Sequence, residues 1–332
     1  MLFKRAMTPV LALSVVLWIA GCGDEPVPAA PADPASGGVS AAGESVSGNA
    51  DLVLGEASED FMAVIEGMPA PAPGQWISYG GDTFEDEISV AVIASRDVQG
   101  SACLWYQFSM ADNVIQVLVD QAMLDSLKGE MLGFVREVGD DPSAWLQTCL
   151  DSGTLPTIFV SENEPERILA LIRALKMVRV RNEGRIMALD MTGVPELVER
   201  MIAENPELFN RDTSGLNAEP DPEFQEFMAQ VQEAEFFLDH GVTPVGGRNL
   251  NCVTLSVVHP DEGVISLVLS GGLPIFPLAE ISAEPMDPTE EGGAIYVTGF
   301  GFDGAEDLMP GDADQTVPAV MLLQSIVQRP TQ

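Results

Sequence analysis

Glu87–Val119 reads EISVAVIASRDVQGSACLWYQFSMADNVIQVLV, and its period decides the fold class. In Glu87–Arg96, Ile88, Val90 and Val92 alternate on one side, as a half-buried strand requires. Gln99-Gly100 and Asp112-Asn113 punctuate the run, so Ala102–Met110 and Val114–Val119 follow as further strands joined by tight turns. Upstream, Gln75–Gly80 is a strand ending in Gly80-Gly81. Four strands in meander order imply antiparallel pairing.

Working outward, the period changes. Ser58–Met68 reads as a short helix stopped by the prolines at 69–73. In Gln121–Val138, Leu124, Leu127, Met131, Val135 and Val138 recur at helical spacing. Pro165–Leu175 carries Ile168, Leu171, Ile172 and Leu175 on one stripe, and Pro195–Glu204 is a further helix. Val178–Arg181 and Arg185–Met191 flank Asn182-Glu183-Gly184 as a hairpin. Pro222–His240 carries helix signals: Asp221 as N-cap, Pro222 at the first helical position and Gly241 past the end. Strands return at Asn251–Val258, Val264–Ser270, Ile275–Ser282 and Ala294–Phe302, and Val317–Val327 closes the chain as helix or strand. Strands, then helices, then strands describe an α+β fold with one curved antiparallel sheet, half-barrel-like, packed on several helices. The first and last strand groups are expected to share that sheet.

The N-terminus reads as an export signal. Lys4 and Arg5 precede the apolar run Met7–Ala20, which is shorter than the roughly 20 residues that span a bilayer. Ile19-Ala20-Gly21-Cys22 resembles the bacterial lipobox. The expected organisation is therefore a signal peptide over residues 1–21, a lipidated Cys22 heading a disordered linker over 22–50, and a single domain over 51–332. Residues 23–50 hold no aromatic residue and no Leu, Ile or Met, so ordering them has little to offset it. Acylation at Cys22 would tether the domain to a membrane, and Gly23 in place of Asp implies the outer membrane, facing the periplasm.

Composition bounds the partners. Acids number 51 against 15 bases, and the formal net charge is −36, so nucleic acid is repelled. Hydrophobic residues make up 46% of the 332, enough for a sizeable core. Cys103, Cys149 and Cys252 remain after Cys22 as disulfide candidates in an oxidising compartment, allowing one bridge and leaving one odd thiol, with the pair left open. None has CxxC spacing, and no metal or cofactor is expected. His240 and His259 are the only histidines, and no nucleophile elbow, Walker loop or zinc motif occurs, so no enzyme is expected.

Two clusters exceed background. Arg167, Arg173, Lys176, Arg179, Arg181 and Arg185 form a basic island interrupted only by Glu183. The favoured reading pairs them with carboxylates elsewhere; as an anion or envelope-protein site, the candidates are Arg173, Lys176, Arg179 and Arg181. Trp76, Tyr79, Trp105, Tyr106 and Phe108, with Phe276 downstream, are the candidates for an apolar ligand site between sheet and helices. For any single one of these, core packing is the favoured reading.

These pieces also carry a resemblance. Gly74-Gln75-Trp76, Val98-Gln99-Gly100, Cys103-Leu104-Trp105-Tyr106 and Val114-Ile115-Gln116-Val117-Leu118 come first. Val245-Gly246-Gly247, Leu267-Val268-Leu269-Ser270, Leu273–Leu278, Gly299-Phe300-Gly301 and Gly304-Ala305 follow in order. Together they resemble bacterial lipoproteins whose fold is similar to the periplasmic lipoprotein carriers (LolA/LolB-like). The resemblance implies a curved sheet wrapping helices, an apolar cavity able to hold a lipid or a lipoprotein acyl chain, and no catalysis. It carries over no individual binding residue. The expected function is a membrane-anchored, non-enzymatic carrier or binding domain. The alternative is a structural or interaction lipoprotein of the envelope without a small ligand.

Overall fold

The computed structural model describes residues 46–48, 50–82, 86–140, 164–182, 184–204, 234–260, 263–286, 289 and 292–327. The signal peptide, Cys22, most of the linker, Cys149 and residues 222–233 of the expected long helix lie outside them.

The meander forms as its turns dictate: β2 (Trp76–Gly81), β3 (Ile88–Val98), β4 (Ser101–Met110) and β5 (Asn113–Asp120) pair antiparallel in order. β6 (Leu175–Asn182) adds to β5, and β7 (Arg185–Asp190) to β6. On the other side β2 pairs with β12 (Gly293–Gly301), which continues through β11 (Leu278–Pro285), β10 (Gly263–Leu269), β9 (Arg248–His259) and β8 (Glu235–Val245). The edges are β1 (Val46–Gly48), on β8, and β13 (Gln315–Pro318), which lies parallel to β7. The early and late strand groups thus share one open sheet of 13 strands. The described helices are α1 (Ala50–Glu66), α2 (Gln121–Asp140), α3 (Glu164–Ala174), α4 (Val194–Glu204) and α5 (Ala319–Val327).

The balance differs from the expected helix-packed α+β fold: the protein is mostly β, a large and nearly all-antiparallel open sheet with a few short helices. One cause lies in the segment read as helix Pro222–His240. Its end is the start of β8, where burial alternates: Phe236 and Leu238 are buried while Glu235 and Asp239 are exposed. Phe236 and Leu238 pack with Val53 and Ala57 of α1 and with Val253 of β9. Pairing along the whole of β9 satisfies the backbone groups that a helix would have bonded internally. His240 accordingly sits on a strand, its Nε2 2.9 Å from Asp60 Oδ2, and caps no helix. At the edge beyond, Val46–Gly48 of the segment read as linker pairs with Phe236–Leu238.

The sheet curls. β8 and β12 are four strand spacings apart, about 19 Å in a flat sheet. Yet a methyl group placed on Gly246, in the turn after β8, would lie 3.2 Å from the Gly299 Cα of β12. The Arg248 guanidinium stands 4.8 Å from the Phe300 ring centroid. Gly246 has φ +53 and so adopts the left-handed conformation at this contact. The principal core fills the inner side, running from Val90, Leu104 and Tyr106 to Ile281 and Ile295, with the Tyr79 hydroxyl donating to Leu278 O at 3.0 Å.

The outer side is crossed by a strap. Thirteen residues, 302–314, join β12 to β13, seven strand spacings away, about 34 Å if flat. Thirteen residues reach roughly 45 Å at full extension, so the strap is long enough to cross the sheet directly. Strand polar groups hold it. Trp76 Nε1 donates to Asp303 O at 3.2 Å, and Gln107 Nε2 to Glu306 O at 3.0 Å. The Asp314 amide donates to Ile186 O at 2.8 Å.

Candidate ligand cavity

Alternation along β4 sends Tyr106 and Phe108 to the inner side and Trp105 and Gln107 to the outer. On β5, Val117 and Val119 join the inner set. The helices that follow close over them: Leu124 from α2, then Leu171, Ile172 and Ala174 from α3, with Leu175 opening β6. Phe276, from the connection between β10 and β11, completes the wall. The result is a cavity of about 320 Å³ lined by these apolar and aromatic side chains.

Its lining is graded. Tyr106, Val119, Leu124, Ala174 and Phe276 are buried, whereas Phe108, Val117, Leu171, Ile172 and Leu175 are half-buried. The second group therefore marks the mouth and the first the floor. The register Phe108↔Ile115↔Val180 continues an apolar row past the mouth to Ile115, which is 45% exposed.

Of the six aromatic candidates, the structure brings Tyr106, Phe108 and Phe276 to the cavity. Tyr79 belongs to the same core without lining it, and burial pushes its phenol well above the ordinary value. Trp105 lies on the outer side with Cys103 and Leu118, and Trp76 packs against Gly299 and Gly301 beside the strap. Trp76 and Trp105 thus stand away from the cavity. Of the remaining wall residues, Leu124, Leu171, Ile172 and Leu175 were readable only as helical stripes and Val117 and Val119 only as strand residues, while Ala174 carried no signal. Nothing in the sequence separates such positions from ordinary core.

The four candidates of the basic island, Arg173, Lys176, Arg179 and Arg181, meet internal partners. Exposed Arg173 pairs with Glu199 of α4. Lys176 stands 3.3 Å from the buried Asp120 and donates to Arg173 O at 2.8 Å. Arg179 is buried under the strap: Nη1 donates to Gln116 Oε1 at 2.7 Å, and Nη2 donates to Met309 O at 3.0 Å and Gly311 O at 2.6 Å. Its guanidinium also stacks 5.5 Å from the Trp105 ring centroid. Arg181 donates to Leu308 O.

Cys103 and Cys252 are both buried free thiols, one on the outer side and the other in the inner core, so they do not pair with each other. Burial raises both thiol pKa values, with the Asp120 carboxylate adding to the shift at Cys103. Among the described residues no group of His, Cys, Asp and Glu is placed to hold a metal ion, and no helix is long and apolar enough to cross a membrane.

This arrangement, an open curled sheet with an apolar cavity under two helices, can retain an apolar molecule by exclusion of water. No known family model matches the chain, and no curated protein matches it. Two solved structures align distantly. One is a provisionally assigned lipoprotein from Parabacteroides distasonis, at 6% identity over 71% of this chain and 98% of that one, with TM-score 0.20. The other is a provisionally assigned exported protein with a YmcC-like fold from Bacteroides fragilis, at 8% identity over 70% and 98%, with TM-score 0.21. At these TM-scores neither fold nor role is carried over from them.

Proposed function

We propose that the chain is a lipid-anchored envelope protein whose domain binds an apolar or acyl chain without transforming it. The observation that carries this reading is the cavity of about 320 Å³, within the range of small-molecule sites and with no charged side chain in its wall. A chain with nothing to hydrogen-bond suits such a wall, because no buried donor or acceptor is left unpaired. The lipobox-like Ile19–Cys22 and the LolA/LolB-like sequence pieces support the same reading. On it, Cys22 is acylated, the following residues let the domain stand off the outer membrane, and the ligand is a lipid or a lipoprotein acyl group.

The test is uptake of a fluorescent fatty acid by purified, delipidated protein, with Phe108→Asp as control. A charge at the mouth should abolish uptake while circular dichroism stays unchanged. Saturable uptake lost in the variant supports the proposal. No uptake by folded wild-type protein refutes it and favours an interaction lipoprotein recognised through its surface.

A further inference from the structure

The floor of the cavity has an unusual construction. Phe276 is 2% exposed and follows Ile275, whose φ is +67. Phe276 N donates to Pro274 O at 2.7 Å, which closes a three-residue turn around Ile275. A turn of that hand is the rare, strained γ form, and a β-branched residue at positive φ is an outlier. Such strain persists only where surrounding structure over-determines it. Here it does: Leu273 and Ile275 are fully buried, Ser270 N donates to Pro277 O at 2.8 Å, and Ser270 Oγ donates to Asn251 O at 2.7 Å. The expected strand Ile275–Ser282 begins only at Leu278, because residues 273–277 are spent on this turn. The Phe276 backbone is thus held firmly, and its ring belongs to the buried part of the lining with Tyr106, Val119, Leu124 and Ala174.

We infer that the cavity takes one unbranched acyl chain of roughly a dozen carbons and that Phe276 is the stop that sets its length. This rests on the ligand-binding reading above and goes beyond it in naming chain number and length. The size follows by proportion. An apolar cavity of about 150 Å³ holds one benzene, six carbons, and this one is about twice as large. Two chains side by side exceed it. The ring at the floor prevents a longer chain from gaining contact.

The experiment measures displacement of anilinonaphthalene sulfonate from purified, delipidated protein by saturated acids from octanoic to octadecanoic. Lysophosphatidylcholine and diacyl phosphatidylcholine run in parallel arms. For wild type, affinity should rise about fourfold per methylene up to about dodecanoic acid and then level off. Phe276→Ala removes a benzene-sized group, so the plateau should move outward by about six carbons; Phe276→Leu, the milder change, should move it by about two. Fatty acid and lysolipid of equal chain length should bind alike if the chain alone is read, and a free acid bound much more tightly would assign the ligand to unesterified chains. Diacyl lipid should bind least. A wild-type series that keeps climbing to octadecanoic acid, or a plateau unmoved in the folded variants, overturns the stop. If no acid binds to folded wild-type protein, the ligand-binding reading itself fails, a result distinct from the other two. Should the alanine variant not fold, the leucine variant decides.

Discussion

Arg179→Met tests whether the outer strap is held by one buried cation. The side chain donates three hydrogen bonds, to Gln116 Oε1, Met309 O and Gly311 O, and stacks on Trp105. Hydrogen bonds from a charged donor contribute about 1.5–3 kcal/mol each, and the ring contact about 0.5–2 kcal/mol. Against these stands the cost of burying the guanidinium, several kcal/mol. That cost is sharpened here because Nε is buried without a hydrogen-bond partner among the described residues. Methionine removes both sides of the balance but leaves three acceptors unpaired, and the strap can lift to let water reach them. The net loss is about 3 kcal/mol, at the low end of the range for breaking a buried charged contact.

Two measurements check it. With a denaturant slope of about 3 kcal/mol per molar urea, the unfolding midpoint should fall by about 1 M. Amide exchange should report the place. Leu308 N donates to Gln107 Oε1 at 2.9 Å and Met309 N to Asp307 Oδ1 at 2.9 Å, so both belong to the strap's own lock. Their exchange should accelerate about a hundredfold, well beyond any change at β10 or β11. Arg179→Lys keeps the charge without the planar fork and should recover less than half of the loss. A methionine variant with an unmoved midpoint and unchanged exchange at Leu308 and Met309 would falsify the account.

Two further outcomes follow from the packing and the thiols. Gly81→Ala places a methyl 2.1 Å from Ala294 O, at the β2–β12 seam that joins the early and late strand groups; overpacking there should cost about 1–3 kcal/mol, read as a lowered urea midpoint. Cys103 and Cys252 have raised pKa values in the folded state, so each remains protonated where an unfolded thiol ionises. Their contribution to stability is therefore complete below the ordinary thiol pKa of about 8.5 and falls as pH climbs above it. Native protein at neutral pH should react slowly with iodoacetamide at both positions, and mass spectrometry finding either one promptly alkylated in folded protein would contradict this.

How far the sequence could be read depended on how local the deciding contacts are. β2 to β5 are set by turns of two to a few residues and by alternation, and α2 and α3 by stripes within one segment, so their boundaries lie close to those read from the sequence. β8 was hidden by a competing local signal, although its main partner β9 follows directly after the turn at Gly246-Gly247. Phe236 and Leu238 pair with Val46–Gly48 in a stretch that reads as linker, while Asp221-Pro222 supplies a local helix start. The basic island was visible as a cluster, but its members serve different ends. Lys176 and Arg179 meet Asp120 and Gln116 one strand away, and the carbonyls that Arg179 and Arg181 bind lie about 130 residues downstream in the strap. At the cavity, period-2 alternation separates Tyr106 and Phe108 from Trp105. Phe276 could be suspected from its neighbours, whereas the turn at Ile275 that aims it is a tertiary product.

The internal pairing of Arg173, Lys176 and Arg179 bears on how a ligand reaches the mouth. With Arg173 on Glu199, Lys176 on Asp120 and Arg179 under the strap, these three cations are offset by internal partners, and the chain carries a formal net charge of −36. An anionic chain such as dodecanoate is then repelled on approach, although nothing in the cavity opposes it once inside; neutral dodecanol meets no such barrier. Screening removes the difference, since the Debye length shrinks from about 30 Å at 0.01 M salt to about 3 Å at 1 M. The association rate of dodecanoate relative to dodecanol should therefore rise about tenfold over that interval, while their dissociation rates change in step. Salting-out acts on both chains and cancels in the ratio. A ratio that does not change with salt would mean that the mouth is locally neutral, with the acids gathered on the far side of the sheet, and that the island's internal pairing has no bearing on ligand entry.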